Sequence, residues 1–153
     1  MHHKNILGME IKAITNRMAR RLKGEAWDIN EKTPSSAQKH AIAYLYEHQS
    51  EGDLFQRDIE EFLSIQRPTA TRMLNNMESE GLIKRENVEY DGRLKKIRLT
   101  LKAVSLYNDI FDEINHVEEE MTQGLTDEEK TEFLRIARKI RSNLDKIEAA
   151  SKK

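Results

Sequence analysis

The chain has 153 residues and a formal net charge of −1, so we expect one domain, or one core with an added oligomerisation element. Leucine and isoleucine far outnumber valine, and proline occurs only twice, a composition that favours helices and excludes an all-β fold. The absence of cysteine excludes disulfides, thiolate metal sites and cysteine-based redox switches. No apolar run is long enough to cross a membrane, and the first residues lack the pattern of a secretory signal. A cytoplasmic protein is the simplest expectation.

The charge is distributed unevenly along the chain. Residues 1–24 sum to +5, residues 25–55 to −4, residues 56–102 to +2 and residues 103–153 to −4. Within the third block, Lys84 to Lys102 carry seven positive and three negative side chains. Such segregation is typical of a protein with one face for nucleic acid.

Two helices are predicted in the first third of the chain. Apolar residues at steps of four and three indicate a helix over about residues 5–23, which Gly24 ends. The run Thr33 to Ser36 predicts the start of a second helix, with Pro34 at its first helical position. This second helix should extend to about His48.

A pair of short helices joined by a tight link follows. Gln56 to Leu63 predicts the first, with Phe62 among its inward residues, and Arg67 to Glu80 predicts the second, closed by Gly81. In the second helix the apolar residues Ala70, Met73, Leu74 and Met77 share one side, and Thr69, Arg72, Asn75 and Asn76 share the other. This arrangement is the helix-turn-helix pattern.

The periodicity then changes to that of a β-hairpin. Leu82 to Val88 and Leu94 to Thr100 are short extended segments, and Tyr90 to Arg93 between them contains the Asp-Gly pair that favours a hairpin turn. Two further helices should follow. The first carries an apolar stripe from Val104 to Met121, and the second begins at a capping box formed by Thr126 with Glu129.

The recognition helix and hairpin carry a family resemblance. The run from Arg67 to Leu74, continuing through Met77 to Arg85, and the run from Asp91 to Thr100 resemble the recognition helix and wing of the MarR family, the multiple-antibiotic-resistance regulators of bacteria and archaea. The family's wing signature is Asp-Gly-Arg-x-Lys-x-Ile-x-Leu-Thr. Thr33-Pro34 with Gln38 is similar to the start of the family's second helix.

Three residues depart from the family pattern. Phe55 and Glu60 stand where the family usually has a Thr cap and a small Ala, and Ala103 stands where a Gly is common. The first two place the packing of the short helix in question. None of the three is expected to touch the DNA face.

The resemblance implies a mainly α fold with a small β-wing, in which N- and C-terminal dimerisation helices flank a winged helix-turn-helix. On this basis residues 33–100 form the DNA-binding lobe, and residues 5–24 and 102–148 form the dimerisation helices. A homodimer is implied, because one recognition helix and one wing make too few contacts with DNA for operator-specific affinity. The alternative is that the apolar stripes close a bundle within one chain. The residues expected in the dimer interface are Leu7, Ile11, Ile14, Phe133, Ile136, Ile140 and Leu144.

Double-stranded DNA is the expected partner, and two groups of residues should contact it. From the recognition helix these are Gln66, Arg67, Thr69, Ala70, Arg72 and Asn76, and from the wing Arg93 and Lys95. Arginine can bind guanine with two hydrogen bonds in the major groove. Arg93 at the wing tip, flanked by Lys95, would reach the phosphate backbone or the adjacent minor groove, whose negative potential attracts arginine. The alternative is a solvated helix face beside a charged hairpin.

Small-molecule and metal sites are less clearly indicated. The resemblance implies a small aromatic or phenolic effector, and Trp27, His40, Tyr44 and Tyr46 are the candidate pocket residues, although aromatic residues at helical spacing are more often part of a core. The histidines show no metal-ligand spacing, so no metal and no cofactor are expected.

No enzyme motif is present: the sequence has no Walker loop, no dinucleotide fingerprint and no nucleophile elbow. The family resemblance, together with the helix-turn-helix and wing, leads us to expect a homodimeric repressor that binds a pseudo-palindromic operator and is released by a small ligand. The alternative is a winged-helix interaction or scaffold module without specific DNA binding.

Overall fold

The computed structural model describes residues 6–24 and 34–152. Within them, the chain divides after Val117 into two compact units, which are described separately. The elements in chain order are α1 (Leu7–Gly24), α2 (Ser36–His48), α3 (Gln56–Leu63), α4 (Arg67–Ser79), β1 (Ile83–Val88), β2 (Asp91–Leu99), α5 (Leu101–Met121) and α6 (Asp127–Ser151). This order confirms the predicted helical fold with a two-stranded wing. No helix in the described residues is long and apolar enough to cross a membrane.

The core of the first unit is a single cluster to which six elements contribute. Ile42 and Leu45 of α2 pack with Leu74 and Met77 of α4, and all four side chains are almost completely buried. The other members of the cluster include Ile59 of α3, Leu82 and Ile83 at the start of the wing, Ile97 of β2, and Ala103 and Ile110 of α5. This core fixes α4 between the wing and the helices behind it.

The helix starts follow the chemistry of their caps, with one correction to the sequence analysis. Ser35 caps α2 in a capping box with Gln38, so Pro34 precedes the cap and does not occupy the first helical position. At α3 the cap residue Phe55 has no side-chain acceptor and is buried, while Asp58 Oδ2 accepts the Phe55 backbone N–H at 2.7 Å. The missing Thr cap is therefore replaced by core packing and one carboxylate hydrogen bond.

The wing differs from the predicted hairpin in the position of its turn. Val88 pairs with Asp91, so the turn consists of Glu89 and Tyr90, and the Asp-Gly pair already belongs to β2. Asn87 pairs with Lys95, which leaves residues 92–94 as an insertion in β2. Such a bulge is an irregularity that redirects side chains at the edge of a hairpin.

The helices α5 and α6 differ in how far they bury their apolar residues. In α5, Ile110 and Val117 are buried, whereas Phe111 and Met121 of the predicted stripe are exposed. In α6, which begins at the predicted Thr126 capping box, no residue is buried. The α6 stripe is therefore amphipathic in pattern, but its apolar side chains are not buried.

Candidate nucleic-acid interface

The outer face of α4 carries the predicted DNA-contacting side chains. Gln66, Arg67, Thr69, Arg72 and Asn76 are all exposed. Pro68 in the first turn needs no N–H partner and has the backbone angle of a helix, which favours a start of α4 at this point. No side chain in the described part of the chain pairs with Arg72, so its guanidinium is available to a ligand.

Ala70 must be removed from this set. The structure places it on the inner face of α4, where it is fully buried. A side chain with no exposed surface cannot touch DNA, and the small methyl group instead allows α4 to pack closely on the core. Its position among the apolar residues of the helix already indicated this.

Glu60 lies closer to the predicted DNA-contacting side chains than the sequence analysis expected. Its Oε1 lies 3.8 Å from Arg67 Nε, and the Glu60 side chain is 19% exposed against 81% for Arg67. The expectation that this departure from the family pattern lies away from the DNA face is therefore wrong. A carboxylate at the start of α4 partly neutralises a cation that would otherwise attract phosphate.

The link between α3 and α4 sets the orientation of the exposed face. Ser64 adopts a left-handed backbone conformation with φ 53°, which ends α3 and turns the chain sharply. Gln56 at the start of α3 donates from Nε2 to Thr71 Oγ1 at 2.8 Å. This hydrogen bond joins the two helices across the turn and holds α4 at a defined angle.

The bulge in β2 projects Arg93 from the wing. Asp91 Oδ1 accepts the Arg93 backbone N–H at 2.9 Å and lies 3.6 Å from Arg93 Nε. The Arg93 side chain is nevertheless 94% exposed. Lys95, two residues further on, is also exposed. The wing tip thus presents a cation on a backbone segment that a local carboxylate orders.

The wing is tied to α4 by Arg85, which the sequence analysis did not single out. Arg85 Nε donates to Glu78 Oε2 at 3.1 Å, and Arg85 Nη2 donates to Asn75 Oδ1. The Arg85 side chain is only 19% exposed. A Glu near the end of a helix and an Arg at the start of the next strand, seven residues later, form a sequence signal that could have identified this contact.

The wing also joins the segment before α3. The backbone N–H of Ile97 donates to the carbonyl of Leu54 at 2.7 Å, and Asp53 Oδ1 lies 3.5 Å from Arg98 Nη2 and 3.8 Å from Lys96 Nζ. The hairpin is therefore attached on two sides, to α4 and to the α2–α3 loop.

The predicted pocket residues do not form one set. Tyr44 stacks on Phe62 with ring centroids 4.4 Å apart, whereas Tyr46 stacks on Tyr107 at 3.8 Å. Residues two apart on a helix point in different directions, so the two tyrosines of α2 belong to separate aromatic contacts. His40 binds the Ser36 carbonyl through Nδ1 at 2.8 Å.

Trp27, the fourth pocket residue, lies outside the described residues. Phe62 was predicted to point inward, but it is 43% exposed and is covered only in part by Tyr44. The described residues contain no group of three or more His, Asp or Glu side chains that could hold a metal ion.

Burial and neighbouring carboxylates raise the pKa of Tyr44 and of Tyr107. For Tyr107, burial has the largest effect, and the Glu47 carboxylate, 3.3 Å from the tyrosine hydroxyl, adds to it. For Tyr44, burial again comes first, followed by the negative charges of Asp58, Glu61 and Glu51. In each case the neutral phenol is favoured in the folded chain.

The residues predicted for the dimer interface are largely exposed in the single chain. On α1, Leu7 is 70% exposed, and Ile11 and Ile14 are also exposed. On α6, exposure is 59% for Phe133 and 57% for Leu144, Ile136 is exposed as well, and Ile140 is half-buried. Both helices thus carry exposed apolar side chains.

A comparison with known families finds a match to the central part of the chain. A family model described as "MarR family" matches residues 33–94, which run from the residue before Pro34 to the wing bulge. The matched segment contains α2, α3, α4 and β1, the elements that build and orient the exposed face.

Solved structures extend the similarity to nearly the whole chain. The transcription regulator MarR from Oenococcus oeni PSU-1 is 30% identical, with 90% of this chain and 99% of that one covered and a TM-score of 0.77. The S. aureus MepR–DNA complex is 25% identical, with 94% and 99% covered and a TM-score of 0.79. A MarR-family transcriptional regulator from Silicibacter pomeroyi, at 23% identity, 89% and 88% coverage and a TM-score of 0.69, shares the fold.

Proposed function

The chain belongs to the MarR family of winged-helix transcription regulators, which are not enzymes, and on this basis we propose that it is a homodimeric, sequence-specific DNA-binding repressor. The observation that carries the proposal is the pairing of one exposed polar helix face with one exposed wing-tip cation on a common core. Arg72 on α4 is free to bind a base edge in the major groove, and Arg93 projects from the wing.

The test uses a specific duplex obtained by selection from a random-sequence pool. Arg72→Ala should weaken binding by about 1–3 kcal/mol at its cognate base pair and relax the base preference there. Arg93→Ala and Lys95→Ala should weaken binding to all duplexes and, where a phosphate contact is lost, reduce the salt slope by about one unit. If all three variants bind like the unaltered protein, the assignment of these residues is wrong.

Dimerisation is the second part of the proposal and has its own test. The exposed apolar side chains of α1 and α6 support a symmetric interface between two copies, and Ile140→Asp should then give a monomer or an unfolded chain. Asn143→Asp, which introduces the same side chain at an exposed polar position of α6, is the matched control. An intact dimer of Ile140→Asp in light scattering would exclude Ile140 from the interface.

Regulation by a small aromatic or phenolic ligand completes the proposal. A compound that abolishes the retarded complex with the selected duplex would support it. In this proposal residues 33–100 are the DNA-binding lobe, and residues 5–24 and 102–148 are the dimerisation helices. A regulator that acts on the chromosome works in the cytoplasm, which is the location we propose. Failure to select any duplex would favour the interaction module.

A further inference from the structure

We propose that Arg85 is a positioning residue of the DNA-reading surface: it binds the amide oxygen of Asn75, so that the NH₂ group is the part of this side chain that binds a hydrogen-bond acceptor of DNA. The inference rests on the proposed function and names the kind of DNA group that Asn75 binds. It starts from the contact of Arg85 with both Glu78 and Asn75.

The chemistry of arginine fixes the orientation of the Asn75 amide. A guanidinium has N–H donors and no acceptor, so the amide atom that faces it must be the oxygen, and the NH₂ group points the other way. Glu78 holds the guanidinium in place, with Oε2 2.9 Å from Nη2 and 3.1 Å from Nε. Because Arg85 is 19% exposed and bound to two partners, it is poorly placed to bind DNA itself.

The position of Asn75 makes this orientation relevant to base recognition. It is exposed and lies three residues after Arg72, so the two side chains are neighbours on the outer face of α4. An asparagine that recognises adenine must accept from N6 and donate to N7. With its oxygen occupied by Arg85, Asn75 can donate but is hindered from making this two-bond pairing. The acceptor is then N7 of a purine, O6 of guanine, O4 of thymine, or a phosphate oxygen, and adenine, whose only acceptor in the major groove is N7, has no advantage over guanine.

The experiment measures the base preference of Asn75→Ala, Arg85→Met and the double variant, by titration against single-base variants of the selected duplex. Asn75→Ala should weaken binding about 3- to 10-fold, the loss of one hydrogen bond. A loss confined to one guanine or thymine position identifies a base contact, and an equal loss on every duplex identifies a phosphate contact. Arg85→Met should free the amide oxygen and, for a base contact, raise the relative affinity for adenine at that position.

Two control variants distinguish the positioning role of Arg85 from the effects of losing its charge and from a failure to fold. Arg98→Met removes the same charge from the same hairpin but does not touch Asn75, so it should leave the base preference unchanged. If Arg85→Met does not fold, Arg85→Lys keeps the charge and loses the fork that spans both partners. In the Asn75→Ala background, replacement of Arg85 should have no further effect on base preference.

Two results would overturn the inference while leaving the proposed function intact. One is a wild-type preference for adenine that Asn75→Ala removes, and the other is independent, additive effects of the two substitutions. If the wild-type protein bound no duplex specifically, the proposed function itself would fail, and this inference with it.

Discussion

The winged lobe and the last helix show the same apolar periodicity with opposite outcomes. In α4, Leu74 and Met77 are fully buried, whereas in α6 no residue is buried and Leu144 is 57% exposed. Periodicity therefore predicts which side of a helix is apolar, but it does not say whether the same chain or a second copy covers that side. A surface of this kind on a soluble protein is typical of an interface.

We expect the largest effects when a leucine is replaced by alanine, once in the winged lobe and once in α6. Leu74→Ala should lower the free energy of unfolding by about 2–5 kcal/mol, because it leaves a cavity in the core. Leu144→Ala should instead raise the dimer dissociation constant. Urea unfolding and sedimentation velocity at several protein concentrations measure the two effects. Equal losses of stability with no change in assembly would show that α6 is not an interface helix.

Two ion pairs, one largely buried and one exposed, show the same difference between the regions. Lys39 Nζ lies 2.7 Å from Glu113 Oε2 and joins α2 to α5, with side chains 9% and 16% exposed. Lys39→Met leaves the Glu113 carboxylate without its partner and should lower stability by about 3 kcal/mol. The Arg135–Glu132 pair of α6 has a similar separation of 2.7 Å, but both side chains are more than half exposed.

Arg135→Met is therefore the matched control for Lys39→Met. Because solvent screens the exposed pair, we expect no measurable change in its thermal unfolding. A loss as large as that of Lys39→Met would contradict the difference in burial between the two regions.

A smaller effect on DNA affinity is expected from Glu60, which lies beside the predicted DNA-contacting residue Arg67. Glu60→Gln removes a negative charge 3.8 Å from the exposed Arg67 and should tighten DNA binding about 2- to 5-fold at low salt, since a pair with one solvent-exposed partner is worth up to about 1 kcal/mol. Glu61→Gln removes the same charge from an exposed neighbouring position. Identical affinities for the two variants would mean that the contact with Arg67 has no influence on binding.

The smallest effect concerns pH. Because burial and Glu47 raise the pKa of Tyr107 above its usual 10.0, its contribution to stability is fully present below about pH 10. It is lost as the pH rises through the pKa of the folded state. Tyr107→Phe should therefore reduce the fall in unfolding free energy between pH 9 and 11.5, and Tyr44 should account for a remaining part. If the pH profile of Tyr107→Phe matched that of the unaltered protein, the raised pKa of Tyr107 would be contradicted.

The sequence predicted the elements well where local chemistry decides them. The bounds of α3 and the capping box at Thr126 were both predicted, because residues within one helical turn determine them. The hairpin turn was misplaced by the Asp-Gly pair, since strand register depends on Ile97 and Leu82 packing in the core as well as on turn chemistry.

The parts of the site that were missed depend on contacts between elements. Asn75 acquires its orientation from Arg85 on the next strand, and Glu60 reaches Arg67 across the turn between two helices. Neither contact follows from the periodicity of one helix. The separation of Tyr44 from Tyr46 was, in contrast, predictable, because residues two apart on a helix do not share a face.

The most direct test of the account is titration of the full chain against a selected duplex, with excess scrambled duplex present, at two salt concentrations. We predict saturable binding of two chains per duplex that resists the scrambled competitor, with an affinity that falls steeply as salt rises. Binding that the scrambled duplex abolishes, or no binding at low salt, would contradict the account.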